Sequence, residues 1–163
     1  VVTIGKFVGG EAPNIIPGEV IMEGTIRSLD KEVGEFIFNR IKDIVESTAK
    51  MFRGEAELIE LSSVPPLAND TDLAKELSSY VKELVGEKAV CLFEGGGMGS
   101  EDFASYSYEV PSVYFMLGAG TKQENPSYGE PMHNEKVVFN EDILVTGAAM
   151  HTYCAISWLK NNK

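Results

Sequence analysis

The chain has 163 residues, 44% of them hydrophobic, and a formal net charge of -11, which suits one ordinary globular domain or two small ones. No apolar run reaches the roughly 18 residues a membrane-spanning helix needs, so none is expected. With 25 Asp and Glu against 14 Lys and Arg, a broad nucleic-acid surface is excluded, because phosphate binding needs clustered cations.

Cys91 and Cys154 stand far apart in apolar surroundings. They are too few for a disulfide scaffold and are expected to be buried, reduced thiols of a cytoplasmic protein. The N-terminus carries no secretory signal pattern. The chain opens without Met, directly on the apolar run Val1-Val2-Thr3-Ile4, a start expected of a piece of a longer protein.

Residues 1–8 alternate and are rich in β-branched side chains, which predicts a strand. Gly and Pro at both ends of 9–18 mark a loop. Residues 19–29 alternate again and predict a half-buried strand with Arg27 on its polar face. Asp30 is a natural N-cap for a helix whose apolar face carries Ile37, Ile41 and Ile44 and which ends near Phe52, with Gly54 as its stop. Residues 55–61 alternate and predict a third strand, so strand, strand, helix, strand is the tail of a split β-α-β unit. Composition then shifts over Ser62–Asn69, a domain boundary.

Beyond it, a helix is expected over 71–85 with Leu73, Leu77, Tyr80, Val81 and Leu84 inward. Short buried strands are expected at 89–93, 113–117 and 136–139. A glycine loop spans 94–100, a short helix 101–108, and a long loop 118–134. The last helix should be capped by Asn140 and largely buried, since apolar residues cover most of its circumference. Helices alternating with short apolar strands place this half in the α/β class.

Three features could carry chemistry. His133 lies in a loop rich in Pro, Gly and acidic residues (YGEPMHNEKVVF) just before an expected strand, where ligating groups concentrate; a plain loop histidine is the alternative. His151, mid-helix among Ala148, Met150 and Cys154, reads as a core histidine. The run Glu94-Gly95-Gly96-Gly97-Met98-Gly99-Ser100 implies positive φ angles or very close backbone approach to a ligand, or else a flexible turn. No GK[ST] follows it, which excludes a Walker loop; a phosphate- or nucleotide-binding α/β domain rests on the glycines alone. Finally, Asn14 (APNIIPG) precedes Arg27 (GTIRSLD). The planar Arg fork suits a carboxylate, although Arg27 taken alone is more often a solvated strand-face charge.

Taken together, VVTIGKFVGGEAPNIIPGEVIMEGTIRSLD, GMGSEDFASYSYEVPSVYFMLGAG and HNEKVVFNEDIL, in that order, resemble the zinc-dependent aminoacylase and carboxypeptidase peptidases. Within that family the resemblance is to hippurate hydrolases, N-acyl-amino-acid amidohydrolases and auxin-conjugate hydrolases. It implies a mixed α/β and α+β architecture: the later part of a ferredoxin-like lid and dimerisation domain over 1–63, then the C-terminal half of an α/β zinc-peptidase catalytic domain over 64–163. It assigns His133 as a metal ligand, Asn14 and Arg27 as the pair that holds the substrate carboxylate, and the Gly99 segment as a lining of the substrate pocket.

The resemblance further implies two divalent ions per active site (Zn, or Mn, Co or Ni), an N-acyl amino acid or small peptide substrate, and a homodimer formed through the lid. In such an enzyme the metals activate a water and a glutamate carries its proton to the leaving amine. That glutamate and the other metal ligands have no counterpart in these residues. A catalytic metal needs about three protein ligands, so the isolated chain is expected to be inactive. The alternative is a non-catalytic lid or dimerisation module that keeps the fold without the chemistry.

Overall fold

A computed structural model describes residues 1–93 and 95–163. It shows a small α/β protein with one two-stranded sheet and four helices among the described residues. The chain divides into two compact units: Val1–Ala68 with 95–108, and Asn69–Phe93 with Glu109–Lys163.

In the first unit, β1 (Val2–Gly9) pairs antiparallel with β2 (Val20–Ile26). The register breaks between Ile4 and Lys6, so Gly5 forms a bulge. Gly24 faces Ile4 across the ladder, and a Cβ on it would lie 2.3 Å from the Thr3 carbonyl oxygen, so only glycine allows this pairing. The ladder runs one residue past the strands: Arg27 N donates to Val1 O at 2.8 Å, and the Val1 ammonium donates to Arg27 O at 2.7 Å. The expectation that the second strand is half-buried does not hold, since only Ile26 of β2 is partly covered. Alternation selects which residues share a face, and coverage depends on what packs there.

Helix α1 (Lys31–Met51) begins where Asp30 accepts the Val33 N–H at 2.8 Å, as a capping carboxylate should. Its more covered face runs through Gly34, Ile37, Phe38, Ile41, Val45 and Ala49, a 3–4 residue spacing. Ile44, expected inward, is half exposed, because this face is turned toward Phe38 and Val45. The helix closes in a Schellman turn, with Gly54 N donating to Ala49 O at 2.8 Å and Arg53 N to Lys50 O at 3.1 Å. The left-handed position is Arg53, at φ 63°, rather than the glycine beside it.

In the second unit, α2 (Thr71–Val85) and α4 (Ile143–Asn161) pack together. Asp70 caps α2 by accepting the Asp72 and Leu73 N–H groups at 3.1 and 2.8 Å, and Gly86 ends it. Tyr80, Met150 and Cys154 are the buried apolar side chains here. Polar bonds frame them. Tyr80 Oη donates to Glu76 at 2.5 Å, Asn161 Nδ2 donates to Tyr80 Oη at 2.8 Å, and Tyr153 Oη donates to Glu83 at 2.9 Å.

Several sequence expectations are corrected. Residues 55–61, 89–93, 113–117 and 136–139 form no strand; 87–89 make a 3₁₀ turn instead. A strand exists only as a ladder, and these segments find no second strand among the described residues. At 113–117 a side chain substitutes for one: Asn69 Nδ2 donates to Tyr114 O at 2.8 Å, and Tyr114 N donates to Asn69 Oδ1 at 2.7 Å. The short helix α3 spans only Ala104–Ser107. Asn140 does not cap α4 itself. It caps the turn leading in, accepting Asp142 N at 3.1 Å, so the helix starts at Ile143.

Nor is α4 largely buried. Leu144, Val145 and Leu159 are 66%, 77% and 61% exposed, because α2 covers only one of its apolar faces. Cys154 is buried, but Cys91 is exposed in the extended 90–93 segment; both are free thiols. No helix among the described residues is long and apolar enough to cross a membrane.

Candidate functional site

In the first unit the site residues grow out of the corner between β2 and α1. Arg27 is fixed at its backbone by the two bonds to Val1. Ser28 then braces the corner, donating from Oγ to Asp30 O at 2.6 Å and accepting from Asp30 N at 3.1 Å. Asp30 starts α1, so Arg27 projects from a short segment tied at both ends. Its guanidinium Nη1 donates to the Met98 carbonyl oxygen of the glycine loop.

The loop reaches this corner by a second contact. A Cβ on Gly96 would lie 2.8 Å from Leu29 Cδ2 and 3.1 Å from Cδ1. Close approach is therefore real, but it is to Leu29. Gly96, Gly97 and Gly99 do not adopt positive φ, and around Gly99 there is open space. Glu94 lies outside the described residues. After the loop, Glu101 accepts Phe103 N at 3.2 Å, and Ala104, with no exposed surface, anchors α3. Lys31 of α1 sits 5.3 Å from the Tyr108 ring centroid, a cation–π contact.

Asn14 occupies the turn that follows β1, closed by Ile15 N donating to Ala12 O at 3.2 Å, and is exposed. The structure brings Arg27 to the glycine loop and gives Asn14 a separate turn within the same unit.

His133 belongs to the second unit. It is exposed and stands in the left-handed region at φ 62°, an uncommon conformation for a residue with a Cβ. Asn134 follows, accepting Lys136 N at 2.9 Å. His151 is not a core histidine. It is exposed, with its ring 4.9 Å from that of Phe115 and tilted by 39°, because its side of α4 faces that ring rather than α2. An open cleft of about 290 Å³ lies at the start of α4, lined by Gly118, Gly120, Thr121, Glu124, Asn140 and Ile143. In it Glu124 accepts from Thr121 N at 2.7 Å and Thr121 Oγ1 at 3.0 Å.

Tyr80, Tyr153 and Cys154 are shifted from their ordinary values. Tyr80 is raised, first by its hydrogen bond to Glu76, and Tyr153 is raised by its bond to Glu83. Burial pushes the Cys154 thiol up. All three lie where α2 and α4 meet. Among the described residues, no group of three or more His, Cys, Asp and Glu side chains is placed to hold a metal ion. These residues therefore do not fit a catalytic metal by themselves, which would need about three ligands.

The sequence pattern of the peptidase family M20/M25/M40 matches residues 4–157. The chain belongs to that family. An IAA-amino acid hydrolase (ILR1-like 2) of Arabidopsis thaliana is 31% identical over 98% of the chain, which spans 36% of that protein. The N-acetyldiaminopimelate deacetylase of Lactococcus lactis is 31% identical over 88% of the chain, spanning 36% of its own length. A crystal structure of a protein from methicillin-resistant Staphylococcus aureus matches with a TM-score of 0.83 and 30% identity, covering 98% of this chain and 40% of that one. A dinuclear metal-binding M20 peptidase of Bacillus subtilis shares the fold, with a TM-score of 0.81 at 24% identity over 98% of this chain and 42% of that one. The chain thus spans well under half the length of these relatives.

No reading of the sequence singled out Leu29 or Gly96 as a pair. The signal was present in part: Leu29 is an apolar residue two positions after the anion-binding candidate, and Gly96 is one of four loop glycines.

Proposed function

We propose that this chain is the carboxylate-recognising and C-terminal part of a metal-dependent amidohydrolase that cleaves the amide bond of N-acyl amino acids. What carries the reading is the placement of Arg27, a fork of five N–H donors set on a tied corner beside the glycine loop, in a chain of the M20 family. Two relatives support the substrate class, since both are named for N-acylated amino acids: an amino acid conjugate and an acetylated diaminopimelate.

In this reading Arg27 and Asn14 hold the carboxylate of the amino acid, and the loop through Gly99 lines its pocket. Such contacts orient the scissile amide rather than react with it. His133 contributes one ligand to a divalent metal centre (zinc, or manganese, cobalt or nickel) whose other ligands and general base come from outside these residues. Its left-handed backbone supports this role, because strained conformations persist where the surroundings over-determine them.

Residues 1–63 act as the ferredoxin-like lid through which two copies dimerise, and 64–163 belong to the catalytic domain. The exposed apolar side of α4 fits a surface that the remainder of such an enzyme would cover. The free thiols fit a cytoplasmic protein. The isolated chain is inactive.

The test is metal content and hydrolysis of N-acetyl amino acids by the full-length protein and its His133→Ala variant. Loss of bound metal together with loss of hydrolysis is expected. Unchanged metal content would remove His133 from the centre, and no hydrolysis by the parent would leave only a non-catalytic lid module.

A further inference from the structure

We infer that Gly96 and Leu29 are positioning residues for Arg27: their close packing sets the glycine loop at the height where the Met98 carbonyl holds the guanidinium. The inference rests on the reading of Arg27 as the carboxylate anchor. Three observations converge on it. The backbone of Arg27 is fixed by the Val1 bonds and the Ser28–Asp30 brace, so what remains adjustable is the long side chain. One nitrogen of that side chain is taken by Met98 O. The loop bearing Met98 rests on Leu29, two residues past Arg27, so closely that a Cβ on Gly96 would meet the end of the Leu29 side chain at 2.8 Å.

The consequence is geometric. A guanidinium binds a carboxylate through two parallel N–H···O bonds and so must present the right edge. A free Arg samples many rotamers and loses that entropy on binding. The Met98 carbonyl accepts one N–H and thereby chooses the orientation of the plane before a ligand arrives. A side chain at Gly96 would press on the end of the Leu29 side chain, and one bulkier than Leu29 can yield to would carry Met98 O away from Nη1. Because Gly96 is not at positive φ, a larger residue there adds bulk without backbone strain, and the loss should be reversed by shortening Leu29.

The experiment compares, in the full-length protein, the best-hydrolysed member of a panel of N-acetyl-L-amino acids with its carboxamide, which lacks the charge. Arg27→Ala is expected to raise KM for the acid tenfold or more and to leave the amide nearly unchanged. Gly96→Val should reproduce that selective loss with kcat little altered, and Gly96→Val with Leu29→Ala should restore most of it. Leu29→Phe, which crowds the same contact from the other side, covers the case in which Gly96→Val does not fold.

Equal KM changes for acid and amide, an unchanged acid-to-amide ratio, or failure of Leu29→Ala to rescue would overturn the inference while Arg27→Ala keeps its selectivity. Loss of that selectivity in Arg27→Ala would instead overturn the carboxylate reading, and this inference with it.

Discussion

Arg53 is the residue at which the fold of the first unit departs from the best local choice. It sits at φ 63° in the turn that closes α1, with Gly54, which would adopt that angle freely, one position too late. A left-handed backbone costs an L-residue about 1–2 kcal/mol relative to a right-handed one. Glycine removes that cost but brings about 0.5–1 kcal/mol of extra chain entropy to the unfolded state. Arg53→Gly should therefore stabilise by a net of about 0.5–1 kcal/mol. With a urea slope in the ordinary range of about 1–3 kcal/mol/M, the midpoint rises by about 0.4 M. Arg53→Ala is the control, since it removes the side chain while keeping the strained backbone, and should leave the midpoint nearly unchanged. The assay is urea unfolding of both variants against the parent, with slopes compared so that only midpoint shifts count. Equal shifts for Gly and Ala would show that the Arg side chain, and not its backbone angle, sets the cost.

Asp70→Ala removes the acceptor for the Asp72 and Leu73 N–H groups and should cost about 1 kcal/mol, read as a lowered urea midpoint that Asp70→Ser largely restores. The phenols of Tyr80 and Tyr153 are raised in the folded state by their bonds to Glu76 and Glu83, so folding favours their neutral forms. Their contribution is complete below the ordinary tyrosine value of about 10 and is lost as pH rises through the higher folded values. Stability between about pH 9 and 12 should accordingly fall less steeply in a Tyr80→Phe, Tyr153→Phe double variant than in the parent; parallel profiles would contradict this.

The helices were legible because each is signalled locally. Asp30 caps α1 as its position suggests, and the range expected for α2 holds between its cap Asp70 and Gly86, which the sequence reading did not name as its bounds. The strands after β2 were not, because pairing is a long-range property. The alternation at 55–61 shows that a segment could lie on a sheet, but a ladder needs a second backbone. The same limit explains α4. An all-round apolar helix predicts burial on every side, yet α2 covers only the side bearing Met150 and Cys154. Polarity states what a face requires, and the neighbours determine whether it is met.

The site divides along the same line. Arg27, Asn14, Gly99 and His133 could be named only through resemblance, since an Arg on a strand or a His in a loop has ordinary alternatives. What the structure adds is a relation across 71 residues of sequence, between the Arg27 guanidinium and the Met98 carbonyl. It also shows what one of the four loop glycines packs against. Composition alone suggested that the loop needed unusual backbone angles or room for a ligand. Instead Gly96 lies against Leu29, and the loop is held by packing on one side and by a charged hydrogen bond on the other. Removal of the Gly96–Leu29 contact should therefore be felt first at the orientation of Arg27, before the stability of either unit.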